Sequence, residues 1–273
     1  MTKRSALPGF GLTMGLTMFW VSLIVVIPMS AVFIRSMGDG WQHFIAVGFS
    51  DRALAAYRVT FGAAALATLI NAVSGLLVAW VLVRVPFPGR RVLSALVDLP
   101  FALPTAVAGI ALTAIYANTG WVGAWLEPLG IKIAYQPQGI VVALVFIGLP
   151  FVVRTIEPVL ADLDHATEEA AATLGATRWQ IFGRVVLPEI TPALVTGCAL
   201  AFARGVGEYG SVIFIAGNMP KISEIAPLLI ITSLEQYDYA GASAIAVIML
   251  IVSFSILIAI NLRQGRALRR RGL

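Results

Sequence analysis

The run YAGASAIAVIMLIVSFSILIAINL, residues 239–262, contains no charged residue. A helix crosses about 30 Å of hydrocarbon with roughly 20 consecutive, mostly apolar residues, so this run is long enough to span a bilayer. Outward from it, charge-free gaps of similar length occupy residues 5–34, 59–83, 99–126 and 133–153, and a further apolar region, 190–220, is interrupted only by Arg204 and Glu208. Across the 273 residues, 59% are hydrophobic and 12% charged, whereas a soluble domain carries about 25% charge. That balance excludes a soluble enzyme, a disordered chain and a disulfide-rich secreted module.

Flanking turn residues sharpen the spans to 12–34, 60–83, 94–117, 138–156, 192–216 and 242–262. Isolated strands in lipid would leave backbone groups unpaired, so all six are expected to be helices. A transmembrane barrel needs strands of alternating polarity, and Val141 to Ile147 is apolar at every position. The expected fold is therefore all-α, a polytopic membrane protein forming one domain over 1–273, with six transmembrane helices and a long loop at 157–191. The first run follows Lys3 and Arg4 and exceeds the roughly 7–15 residue core of a signal peptide, so it reads as a retained span. Pro28 and the Gly148–Pro150 pair read as kinks within their spans.

Lys and Arg set the orientation. Lys3, Arg4, Arg84, Arg90, Arg91, Arg154, Arg178, Arg184 and five arginines between 263 and 271 make 13 on one side, against 5 on the other. Both termini are thus expected in the cytoplasm, with the 263–271 cluster against an anionic inner leaflet rather than on nucleic acid.

Several absences narrow the chemistry. Cys198 is the sole cysteine and lies inside an apolar span, so the chain cannot build a disulfide or a cysteine metal site by itself. His43 and His165 fall in loops on opposite sides and cannot share a catalytic or metal centre. No Gly-x-x-x-x-Gly-Lys-Ser/Thr loop occurs, so any ATP-driven function must borrow its hydrolysis from another polypeptide.

The 157–191 loop is organised for two short helices. Asp164 or Thr167 can cap the first, Glu168 and Glu169 in its first turn oppose the helix dipole, and Gly175 is placed to end it in a left-handed conformation. Thr177 with Gln180 makes a capping box for the second, which is predicted to end before Pro188. The alanines of the first helix suit close approach to a groove on another protein; an interfacial connector is the alternative.

The spacing Glu169-Ala170-Ala171, three residues, Gly175, nine residues, Val185, one residue, Leu187-Pro188 resembles the cytoplasmic signature of the membrane subunits of bacterial ABC importers, with Val185 at the usual Ile. Leu7 to Phe10, Asp98 to Gly109, Pro150 to Thr155 and Gly207 to Asn218 are similar to the T-type permease of the sulfate/thiosulfate importer, so the resemblance covers nearly the whole chain. It implies the type I ABC importer permease architecture, with residues 165–175 as a coupling helix seated in a cleft of a cytoplasmic ATPase. Glu168, Glu169, Ala170, Ala171, Gly175, Leu187 and Pro188 become the coupling residues. The implied partners are a second, W-type permease subunit, two copies of the ATPase that binds ATP and Mg, and a periplasmic sulfate-binding protein, all at the bacterial inner membrane. The chain itself would hold no cofactor or metal and catalyse no reaction. A molybdate or other oxyanion permease is the nearest alternative. A secondary transporter driven by an ion gradient is more distant, because the spans hold few acidic residues for a proton relay.

Arg204 and Glu208 stand four apart in the fifth predicted span, which would place them on one helix face near mid-bilayer. Charges at that depth face a partner or a water-filled route. Either Arg204 lowers the barrier for a dianion, or the two form a structural ion pair. Thr105, after Pro100 and Pro104, and Ser211, beside Gly210, are further candidates for the path at discontinuous helices, with helix packing as their alternative role.

Overall fold

The computed structural model describes residues 10–270, with the side chains of Asn261 and residues 263–270 outside the description. Lys3, Arg4, the Leu7 to Gly9 run and the C-terminal arginine cluster lie outside the described residues or side chains. Among the described residues every regular element is helical. Five helices are long and apolar enough to cross a membrane: α1 (Phe10–Ser36), α3 (Asp51–Arg84), α6 (Pro137–Asp162), α8 (Arg178–Val206) and α10 (Tyr239–Arg270). Shorter helices lie between them, the longer of which are α2 (Gly40–Gly48), α4 (Arg90–Val97), α5 (Thr105–Tyr116), α7 (His165–Thr173) and α9 (Ala226–Glu235).

The third predicted span, 94–117, is not one helix. It is divided into α4, a single turn at Leu99–Ala102, and α5, with Leu103 and Pro104 extended between the last two. Pro100 and Pro104 account for the break, since each lacks an N–H and Pro104 drives the preceding residue out of the helical region. Of the six runs expected to span, five coincide with helices long and apolar enough to cross a membrane, and the third is an interrupted segment whose longest helix has 12 residues.

Prolines elsewhere are absorbed differently. Pro28 and Pro188 each follow a π-helical turn, Ser22–Val26 in α1 and Phe182–Val186 in α8. In both, the residue just before the proline, Ile27 or Leu187, donates its N–H five residues back, to Ser22 and Phe182. A proline ring collides with the carbonyl four residues earlier, and the wider turn moves that carbonyl aside. Pro188 therefore does not end a loop helix, as the sequence suggested. The second loop helix runs through it into the fifth span as one element. Likewise α6 continues past Pro150 and Pro158 to Asp162, so the 157–191 loop shrinks to short links around Leu163 and Leu174–Thr177.

The long helices α3, α6 and α8 form the centre, brought together at small residues as membrane helices favour. A Cβ on Gly75 would lie 2.8 Å from a Val152 methyl, one on Gly197 2.9 Å from the Val152 Cα, and one on Gly148 2.5 Å from the Asn71 amide. Two buried clusters result. One gathers the start of α3, the start of α6, the end of α8, and α9 and α10, around residues such as Leu144, Val206 and Ile245. The other joins Leu82, Val152, Ile156, Val186 and Ile190 at the opposite end, with Cys198 packed against it in the small-apolar role its span predicts. The second half of α1 packs on α10, while its first half stands clear of the bundle.

Helices α2 and α9 were not anticipated, being too short to stand out as spans. Helix α3 also starts nine residues before its predicted span, capped by Ser50, whose Oγ accepts from the Ala53 N–H. The early charges are tolerated because Arg52 donates to both carboxylate oxygens of Glu224, at 2.8 and 2.7 Å, and Glu224 is buried.

Candidate functional site

Two groups of residues carry the candidate functions, at different places in the bundle. The first is built around α7. Asp164 caps it, its Oδ1 accepting from the Ala166 N–H at 2.9 Å, while the Thr167 hydroxyl only donates to the Asp164 carbonyl. At the other end Gly175 has φ +85°. The Ala176 N–H reaches the Ala171 carbonyl and the Gly175 N–H the Ala172 carbonyl, a Schellman closure that satisfies the last carbonyls. Both halves of the Thr177/Gln180 capping box then start α8.

The two adjacent glutamates of α7 diverge. Glu169 and Ala170 are exposed, Ala171 is half-buried, and Glu168 turns inward to Arg84, the last residue of α3, which donates to it at 2.6 Å. The exposed side of this hairpin carries two large apolar residues, Leu174 at 88% and Trp179 at 84% exposure. Neither was singled out from the sequence, although both lie within the quoted signature. Leu187 and Pro188 are not on this surface. Leu187 packs against the second core cluster, and Pro188 sits in the turn that feeds α8 into the bundle.

The second group gathers at the far end of α8. That helix ends at Val206, ten residues short of the predicted 216, so Arg204 is in its last turn and Glu208 lies just beyond it. The expected shared helix face is absent, because Gly207 and the following residues leave the helix; the pair nevertheless forms, with Arg204 Nη1 2.5 Å from Glu208 Oε2. Glu208 Oε1 accepts from the Ser211 N–H at 2.9 Å and its hydroxyl at 3.0 Å. Glu208 is 2% exposed and Ser211 fully buried, whereas the Arg204 side chain is 36% exposed. Ser211 is thus spent on Glu208.

Thr105 joins from α5. A Cβ on Gly210 would lie 2.2 Å from the Thr105 Oγ1, and one on Gly109 2.4 Å from the Ser211 carbonyl oxygen. The four path candidates therefore belong to one node, in which the helix restarting after Pro104 is pressed onto the 208–212 segment. Arg154, read only as a loop charge, ties the earlier part of that broken span to α6: its Nε donates to Asp98 at 2.7 Å and its Nη2 to the Ser94 carbonyl at 2.9 Å. The two histidines do lie apart. His43 Nε2 is 3.4 Å from Asp238, and His165 meets Arg84.

Residues 71–270 match the family model described as the binding-protein-dependent transport system inner membrane component. The chain belongs to this permease family. Curated relatives agree with that placement over nearly full length. The sulfate transport system permease protein CysT of Escherichia coli (strain K12) is 48% identical over 269 residues, covering 98% of this chain and 97% of that one. CysT of Synechocystis sp. is 49% identical over 248 residues, covering 91% and 87%. The permease fold itself is matched by a chain of the bacterial alginate ABC transporter crystallised with an alginate-bound periplasmic protein, with TM-score 0.79 at 20% identity over 95% of each chain.

Proposed function

We propose that this permease is the T-type membrane subunit of an ATP-driven sulfate/thiosulfate importer. The near-complete 48% identity to sulfate permeases carries the reading. It is supported by the hairpin of α7 and the start of α8, where Glu169 of α7, Leu174 just after it and Trp179 of α8 are presented outward within the stretch that matches the importer signature. In this reading α7 docks in a cleft of a separate ATPase, two copies of which bind ATP and Mg beneath the pore. A W-type permease supplies the other half of the route, and a periplasmic sulfate-binding protein delivers the anion. Both termini and α7 face the cytoplasm of a bacterial inner-membrane protein, as the Lys and Arg distribution requires.

Closure of the ATPase dimer moves α7, and the helix bundle follows between inward-open and outward-open arrangements; ATP supplies direction because the permease alone only equilibrates between them. Arg204 faces the route, and Glu208 and Ser211 hold it. Its guanidinium has five N–H donors, and the half-exposed side chain leaves some for an oxyanion, whereas the buried Glu208 carboxylate is enclosed by Arg204 and Ser211. Thr105 keeps the restarted helix against that segment.

Co-purification and reconstitution test the whole reading. The tagged chain should retain the ATPase and a second permease, and vesicles containing the complex should take up labelled sulfate only with ATP and the binding protein. Retention of no ATPase, or uptake driven by an ion gradient without ATP, defeats it; competition by molybdate at equal concentration moves the assignment to that oxyanion.

A further inference from the structure

We propose that Arg84 is a positioning residue that transmits the movement of α7 into the bundle, and that Glu168 and Glu169 divide the work of coupling between an inward and an outward contact. The inference rests on the reading that α7 docks on an ATPase. Arg84 ends α3 because Val85 and Pro86 cannot prolong it. Its guanidinium donates to Glu168 Oε1 at 2.6 Å, and Nη1 lies 2.8 and 2.9 Å from the two ring nitrogens of His165. Both partners are in the first turn of α7. The contact therefore joins a cation at a helix C-terminus to an anion at a helix N-terminus, each at the end that its dipole favours.

The pair is not an ordinary surface bridge. The side chains are 10% and 22% exposed, and Arg84 also lies over the Trp80 ring, 5.7 Å from its centre. Trp80 in turn meets Phe182 edge-on at 5.5 Å, in the π-turn of α8. One arginine thus links α7 to α3 directly and to α8 through two aromatic rings. Helix α7 has no buried residue of its own; besides its short links to α6 and α8 and its direct contact with the start of α8, the Arg84 ion pair is the tie that joins it to α3. Glu169, one residue on, is exposed and makes no ion pair or hydrogen bond among the described residues, which leaves it for the ATPase.

The test uses the complete importer in vesicles, with sulfate uptake and ATP hydrolysis measured together. Glu168→Gln and Arg84→Gln should still co-purify with the ATPase and hydrolyse ATP, while sulfate moved per ATP falls between about 5- and 150-fold, the span of ordinary coupling energies. The exchange Arg84→Glu with Glu168→Arg should recover the ratio, less the few-fold cost of reversing two charges against the helix dipoles. Glu169→Gln should instead weaken ATPase retention. Arg84→Lys keeps the charge without the planar fork and gives an intermediate ratio, so one informative variant survives if the glutamines fail to assemble. A wild-type ratio in every assembled variant, a loss that the exchange does not recover, or loss of the ATPase in Glu168→Gln would each overturn the proposal. A wild-type complex that never couples ATP to uptake would instead defeat the importer reading beneath it.

Discussion

Replacing Arg204 with alanine should separate the structural and transport roles of the buried pair. Glu208 is 2% exposed and has three donors: Arg204 on Oε2 and the N–H and hydroxyl of Ser211 on Oε1. Arg204→Ala leaves Oε1 satisfied and Oε2 bare. Breaking a buried ion pair from one side costs about 3–5 kcal/mol, but the Arg204 side chain is 36% exposed, so water screens the pair and about 2–3 kcal/mol is the better expectation. Adding Glu208→Ala removes the stranded carboxylate and should return more than half of that loss. Thermal unfolding of the purified permease in detergent reads this step, and the double variant should melt above the single one. Sulfate uptake reads the other step. If Arg204 meets the anion, uptake stays low in both variants although stability recovers. Recovery of uptake together with stability would refute the role of Arg204 in the path, and equal melting of the two variants would refute the coupling of the pair itself.

Other substitutions follow from local geometry. Gly175→Ala should lower sulfate moved per ATP nearly as much as Gly175→Leu, because a Cβ there meets open space and the cost is the φ of +85°, about 1 kcal/mol for a residue with a side chain; Gly175→Asn, which tolerates that region, should be the mildest of the three. Trp179→Ala with Leu174→Ala should cut ATPase retention in pull-down while leaving the stability of the permease within about 0.5 kcal/mol of wild type in the melting assay, as expected of exposed positions. Gly109→Ala should destabilise the permease by about 1–3 kcal/mol in the same melting assay, since its Cβ would lie 2.4 Å from the Ser211 carbonyl oxygen and push the segment that holds Glu208. Arg52→Ala should lower stability by a similar amount through the stranded Glu224, with Glu224→Gln as partial rescue.

Spacing between charges located the spans because lipid imposes a length on any uninterrupted apolar run. It located their ends poorly, for two physical reasons. Helices continue beyond the charge-free run when a cap or an ion pair sustains them, as Ser50 and the Arg52–Glu224 contact do for α3. Apolar stretches also cease to be helical without any charge to announce it, as at Leu103–Pro104. The loop elements were clearer: Asp164, Gly175 and the Thr177/Gln180 pair act through contacts within four or five residues, so sequence alone specifies them. Arg84 could be counted for topology but not given a partner, because Glu168 is 84 residues away and only the packing of α3 against α6 and α8 brings them together.

The prolines show how the same residue yields opposite outcomes. At Pro104 the preceding Leu103 is extended and the helix stops, whereas at Pro188 the turn before it widens and the helix continues. The difference suits what each place has to do. A helix that restarts at Thr105 brings its first turn against Gly210 and the segment holding Glu208, at the point where an anion is proposed to pass. A helix that runs unbroken from Arg178 to Val206 instead connects the proposed coupling end, where Phe182 meets Trp80, to Arg204 in its last turn. Over its 29 residues, at about 1.5 Å each, α8 reaches from one functional group to the other. In the proposed coupling, a push on α7 passed through Arg84 and Trp80 to Phe182 enters α8 near its start, and the same helix carries Arg204 in its last turn, while Arg154 ties only the first part of the interrupted span to α6.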